Sequence, residues 1–279
     1  MHRIVVVIFA LIATFSAPMM AAAVTPEQVE IPRPEGKLNA LLYRPEGAGP
    51  FPAVIGLHGC GGINGPAGTP TSRYQDWGQR LADAGIAVLF PDSYGSRGLG
   101  SQCRVRSRTV RVDRERVADV EVARLWLQSQ SWVAPERISL LGWSNGAIAA
   151  LWAVRPRTVT KNSNGADLRS AITFYPGCRR LSETAWNARV PTLILIGGAD
   201  DWTSPIECEQ MVAGARGRSA RISLVVYPGA YHDFDHPNRP LEVRSGYAFS
   251  VDGTGKVHTG TNPIARADAI KRVQDWLSR

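Results

Sequence analysis

Apolar residues along this chain fall into short unbroken runs, and between the runs they recur every three or four positions. Unbroken runs of four to eight residues bounded by Gly and Pro mark buried strands, and the wider spacing marks helices with one apolar face. EQVEIP and KLNALLYRP, joined through Pro and Gly, predict an opening hairpin at the edge of a sheet. PAVIGL then predicts a strand ending in glycines, and RYQDWGQRLADAG a helix closed by Gly85. The alternation continues with IAVLFPD as strand, RVADVEVARLWLQ as helix with Val117, Val120, Ala123 and Leu127 on one face, and RISLLGWS as strand. NGAIAALWAV reads as helix, RSAITFYPG and VPTLILIGGAD as strands, SPIECEQMVAGA as a short helix, RISLVVYPGA as a last strand and NPIARADAIKRVQDWL as a closing helix. Continuous apolar strands alternating with helices imply an α/β fold with a mostly parallel central sheet and helices on both faces. Between Pro237 and Thr261 both signals fade, which predicts a long loop near the strand ends.

Residues 1–23 stand apart from this pattern. His2 and Arg3 precede an apolar run from Ile4 to Phe15, and small residues end in Ala21-Ala22-Ala23. This is the pattern of a signal peptide cleaved before Val24, leaving residues 24–279 as a single domain that is secreted or periplasmic. The alternative, an uncleaved anchor, needs a run of roughly 18 apolar residues, and the run is shorter. No stable membrane insertion is expected after cleavage. Removing the leader takes away Arg3 and leaves 31 basic against 24 acidic residues. Such a surplus attracts anionic small molecules, but an exported chain is not expected to meet nucleic acid. Cys60, Cys103, Cys178 and Cys208 are an even set in an oxidising compartment, and therefore candidates for disulfides in any of three pairings. Pairing sequence neighbours would contribute about 3.5–4 kcal/mol per bridge through chain entropy.

The stretch LLGWSNGAIAAL carries the first chemical signal. Gly142, Trp143, Ser144, Asn145 and Gly146 form G-x-S-x-G between a strand and a helix, where a sharp turn lifts a serine hydroxyl above the sheet and the helix N-terminus offers free N–H groups. Helix capping alone is the plainer reading of Ser144. A nucleophilic serine requires an acid and then a histidine downstream. The run TLILIGG leads into Asp200 and Asp201, and ISLVVYPG leads into His232, each at a strand end on the same sheet edge as Ser144.

These segments, GWSNG, GGADDW and YPGAYHDF, together with LHGCGG, resemble the dienelactone hydrolase family of the α/β-hydrolase fold over nearly all of residues 24–279. The resemblance implies a catalytic Ser144, Asp200 and His232. Asp200 matches the family's Gly-Gly-x-Asp, and Asp201 is the rival because Pro205 lies one residue farther on than the usual spacing. It also implies an oxyanion hole made by the backbone N–H groups of Cys60 and Asn145. The family's founding enzymes carry cysteine at the nucleophile position, so serine here points to small carboxylic esters or lactones in general as substrate. No cofactor is required.

Other features have two readings each. Arg97, after a strand on the same edge, either meets a substrate carboxylate or is solvated. Trp143 and Trp202 either wall the acyl pocket or fill the core. Arg104, Arg106, Arg108, Arg111, Arg114 and Arg116 form either a cationic rim or a solvated face. His58 is expected to brace its loop. HDFDH at 232–236 lacks HExxH or another zinc spacing, so no metal is assigned. A ligand-binding protein without catalysis, and a peptidase or acyltransferase with the same triad, are the alternatives to a hydrolase. The oligomeric state is not encoded in these patterns.

Overall fold

The computed structural model describes residues 24–156 and 165–279, so the leader expected over 1–23 lies outside the described residues. In chain order the elements are β1 (Glu27–Arg33), β2 (Gly36–Tyr43), β3 (Phe51–Leu57), α1 (Ser72–Asp83), β4 (Ala87–Pro91), α2 (Glu115–Gln128), β5 (Val133–Trp143) and α3 (Asn145–Ala153). They continue with β6 (Ser170–Phe174), α4 (Arg179–Ser182), β7 (Thr192–Gly197), α5 (Pro205–Ala215), β8 (Ile222–Tyr227), β9 (Glu242–Arg244), β10 (Val257–Thr259) and α6 (Pro263–Leu277).

Among the described residues, eight strands form one sheet in the order β1-β2-β4-β3-β5-β6-β7-β8. The β1–β2 hairpin pairs antiparallel, β2 runs antiparallel to β4, and β4, β3, β5, β6, β7 and β8 are parallel. Strands β4, β6 and β7 are buried throughout, as their unbroken apolar runs require. At the β8 edge the expectation of burial on both faces fails, because Ile222 to Val226 are only half-buried.

Successive residues of a strand face opposite sides of the sheet, and β5 shows what covers each side. The Trp143 ring packs against Trp77 of α1, whereas a Cβ on Gly142 would lie 2.6 Å from the Gly146 carbonyl of α3. Helices α1 and α3 therefore cover opposite faces. Helix α6 joins α1 through Arg266 and Asp76, 2.6 Å apart. Val120, Ala123 and Leu127 of α2 are buried as predicted, with Val117 half-buried. No helix among the described residues is long and apolar enough to cross a membrane.

The stretch Pro237–Thr261, expected as loop alone, contains a short hairpin in which Val257 pairs with Arg244 and Thr259 with Glu242. Three residues per strand, with Glu242, Val243 and Arg244 turned largely to solvent, are too few to produce a two-residue apolar alternation. This arm returns to the sheet where the Gly260 N–H donates to the His232 carbonyl at 3.0 Å.

All four cysteines are paired, Cys60 with Cys103 and Cys178 with Cys208, each with Cα atoms 4.9 Å apart. The first bridge fixes the loop after β3, and the second fastens α4 to α5. Replacing Cys178 and Cys208 together by serine is expected to lower unfolding free energy by about 2–5 kcal/mol. Urea unfolding of the double variant, followed by tryptophan fluorescence, measures the change.

Candidate active site

Four loops converge at the C-terminal edge of the parallel strands, beside β3, where the strand order reverses. Crevices of this kind bind ligands in open α/β sheets. Leu57 is in register with Gly142 and Trp143 with Phe174, so the loop after β3 and the residue after β5 emerge side by side.

Ser144 stands between β5 and α3 with φ 51° and ψ −114°, a strained conformation for a residue with a side chain. The glycines on either side make it feasible. A Cβ on Gly146 would sit 1.9 Å from the Leu57 carbonyl oxygen, and one on Gly142 would strike Gly146, so any larger residue would push α3 away from the sheet. The Ser144 N–H donates to the Phe174 carbonyl at 2.9 Å. Asn145 begins α3, and its buried Oδ1 accepts from Tyr94 Oη at 2.8 Å and from Arg116 Nη1 at 2.7 Å.

Asp200 follows β7. Its Oδ1 accepts the backbone N–H groups of Trp202 and Thr203, both at 2.9 Å, which fixes the carboxylate plane. Its Oδ2 meets His232 Nδ1 at 2.8 Å and accepts from Thr203 Oγ1 at 3.0 Å. The imidazole lies between the rings of Tyr175 and Trp202, with centroids 4.3 and 4.6 Å away. His232 Nε2 is buried and has no hydrogen-bond partner among the described residues, and Ser144 and His232 line one cavity. Asp201, the rival acid, instead holds His258 Nδ1 at 2.7 Å and the His258 N–H at 2.8 Å, which ties the 237–261 arm to the acid loop.

Cys60 borders the same cavity, and its loop is held on three sides. The Gly59 N–H donates to Tyr74 Oη at 2.9 Å, the Cys60 carbonyl accepts from Gln102 N–H at 2.7 Å, and the disulfide links Cys103. His58 does brace this loop. Its Nε2 faces the Ser93 N–H at 3.2 Å, so Nδ1 is the donor to the Gly59 carbonyl at 2.8 Å. Burial, reinforced by the nearby Arg116 charge, pushes this imidazole well below the ordinary histidine range and keeps it neutral.

A serine on a strained strand-to-helix turn, an aspartate and a histidine in that chain order, and a second loop beside the serine are the parts a serine hydrolase would use, and the sequence match extends over the same ground. The dienelactone hydrolase family model matches residues 38–279. The chain belongs to the dienelactone hydrolase family. A Methylorubrum extorquens protein named as a carboxymethylenebutenolidase is 24% identical over 263 residues, which cover 90% of this chain and 79% of that protein. Among solved structures, a dienelactone hydrolase-like promiscuous phosphotriesterase from metagenomic libraries superposes with a TM-score of 0.70 at 18% identity, covering 92% of this chain and 98% of its own. A dienelactone hydrolase from Anabaena variabilis gives a TM-score of 0.62 at 18% identity, with 92% and 98% covered. These likenesses show an α/β-hydrolase fold.

Two candidate pocket residues, Trp143 and Arg97, do not line the cavity that holds Ser144 and His232. Trp143 is wholly buried, stacked on Phe174 at 5.9 Å, because residue 143 points to the α1 face while Ser144 leaves the strand. Arg97 is bound to Asp119 through two contacts of 2.8 and 2.9 Å, and the same carboxylate also receives Arg33. Asp119 lies more than twenty positions downstream on α2, so nothing local marked Arg97 as occupied. Trp202 does line the site. The arginine run divides: Arg104, Arg106, Arg108 and Arg111 border cavities, Arg114 is exposed, and Arg116 is buried behind Asn145.

The HDFDH segment likewise separates onto different partners. Asp233 pairs with Arg73 and, at 3.2 Å, with Arg239. Burial works to raise this carboxyl, but Arg73, His232 and Arg239 outweigh it and hold it well below the usual range. Burial, then Arg73 and Arg239, lowers His236 to about 4. Asp235, fully buried, accepts from Trp77 Nε1 and Trp143 Nε1 at 2.8 Å and from Tyr175 Oη at 2.5 Å, with Arg73 Nε 3.5 Å away. Sequence reading passed over Asp235, Tyr175 and Thr203. Tyr175 had one available signal, since it follows the end of β6 on the active edge.

Asp235→Asn would turn an amide N–H₂ toward either the two indole donors or Tyr175, removing the buried charge they share, and is expected to cost about 3–5 kcal/mol, measurable by urea unfolding. The pH dependence follows from the histidines. Between about pH 6.5 and pH 4 the unfolded chain binds a proton at His236 that the folded chain refuses, and below about pH 6.5 His58 acts in the same direction, so stability falls on acidification by up to about 1.4 kcal/mol per pH unit for each. Below that window Asp233 acts in the same direction, because its folded carboxyl resists the proton the unfolded one accepts. Calorimetric Tm is therefore expected to drop from pH 7 to pH 4.5, and His236→Asn to shallow the slope.

Proposed function

We propose that this member of a hydrolase family is an exported serine hydrolase that cleaves carboxylic esters or lactones through an acyl-enzyme. The observation that carries the reading is the His232 imidazole, bound to Asp200 through Nδ1 while its buried Nε2 is free toward the cavity it shares with Ser144. In this mechanism His232 Nε2 takes the Ser144 proton as Oγ attacks the carbonyl carbon. Asp200 keeps the Nδ1 tautomer in place and stabilises the imidazolium. The N–H groups of Asn145 and Cys60 receive the tetrahedral oxyanion, with the Asn145 donor also carrying the positive end of the α3 dipole. His232 then protonates the leaving oxygen, and water, activated by the same imidazole, releases the acid.

Two disulfides agree with export, as does the leader expected over residues 1–23, with 24–279 as the mature domain. A non-catalytic binding role has no use for a histidine held in one tautomer, and so is disfavoured.

Fluorophosphonate labelling of the chain and of Ser144→Ala, His232→Ala and Asp200→Asn, with mass spectrometry to locate the adduct, tests the reading. Labelling is expected at Ser144, absent in the first two variants and slowed about 10³–10⁴-fold in the third. A folded protein that takes no label at Ser144 would exclude an activated serine.

A further inference from the structure

Ser144 borders two cavities of different size. The smaller, about 240 Å³, contains His232 and is lined by Arg73, Arg104, Arg239 and Arg244. The larger, about 700 Å³, extends from Asn145 along α3, and Val110, Ile148, Trp152, Phe249 and Val251 give it apolar walls. Cys60 and Trp202 belong to both and stand between them. His232 lines the small cavity and is not part of the large one.

This asymmetry assigns the two halves of an ester, given the proposed roles of Ser144 and His232. In the tetrahedral adduct the carbonyl carbon carries Ser144 Oγ, the oxyanion, the acyl carbon and the leaving oxygen. The oxyanion is directed to the N–H groups of Cys60 and Asn145. The leaving oxygen must come within hydrogen-bond reach of His232 Nε2, because that nitrogen returns the proton when the C–O bond breaks and the alcohol departs. The leaving group is therefore directed into the small cavity, and the acyl group into the large one. Size agrees with direction: the compact half of the ester falls to the cavity of about 240 Å³ and the bulky half to the one of about 700 Å³. The large cavity offers Ile148, Trp152 and Phe249 to an apolar acyl chain; Arg106, Arg108, Arg111, Arg179 and Arg180 line it as well, with Arg179 and Arg180 paired to Glu183 and Asp113. Arg108 donates to the carbonyls of Gln102 and Val105, and Arg111 is held by Asp113.

We infer that the preferred substrates are open esters joining a bulky, apolar acyl group to a compact alcohol. Methyl 4-phenylbutanoate and 3-phenylpropyl acetate are isomers that exchange the bulky group across the ester and release alkanols of similar acidity. Rates of acid release with the full mature protein are expected to give kcat/KM on the order of tenfold or more in favour of the methyl ester. Ile148→Trp, which narrows the large cavity, is expected to shrink that ratio. Equal rates, or preference for the acetate, would overturn the assignment while leaving the serine mechanism intact. So would hydrolysis of neither ester by a protein that labels at Ser144. Hydrolysis of neither by a protein that also fails to label would overturn the serine mechanism and the assignment together.

Discussion

The Asp235 carboxylate is the point on which the site's geometry depends. A fully buried charge is tolerable only when donors surround it, and the donors here come from separate elements: Trp77 on α1, Trp143 at the end of β5 and Tyr175 after β6, with the Arg73 charge of α1 nearby. Two of these donors neighbour a site residue. Trp143 precedes Ser144, the Tyr175 ring packs on His232, and Asp235 itself lies three residues beyond His232. One desolvated group thus sets the position of the strained turn relative to the imidazole. It does so from behind the sheet edge, where solvent does not compete.

A second layer of constraint is steric. Helix α3 approaches β3 so closely that glycine is required at 146, and the acid loop approaches the histidine loop so closely that a Cβ on Gly197 would lie 2.1 Å from the Ala230 carbonyl oxygen. Polar contacts finish what these approaches begin. Tyr94 and Arg116 hold Asn145, Tyr74 holds Gly59, and the two backbone N–H groups on Asp200 leave its other oxygen for His232.

The fold was legible because burial on both faces forces unbroken apolar runs, and β3 to β7 display them without ambiguity. The chain order of Ser144, Asp200 and His232 was legible because strand ends on one edge are few. What stayed hidden depends on partners far apart in sequence. Arg97 looks free until Asp119 is brought beside it, and Asp235 looks like one more acid in HDFDH until two indoles and a phenol close around it. Trp143 illustrates a finer point. Its neighbour Ser144 leaves the strand, so residue 143 keeps the strand's alternation and turns into the core. The 237–261 arm was unreadable for a different reason, since its hairpin is held by Asp201 and His258 and not by an apolar face.

The turn at residue 144 has one more consequence. Its unusual backbone angles are imposed by Gly142 and Gly146 and by the carbonyl of Leu57, none of which involves the side chain at 144. The socket is therefore indifferent to what it presents. A side chain of similar size can be exchanged at 144 without any adjustment of the main chain, so the group presented there is free to change while the architecture around it stays fixed.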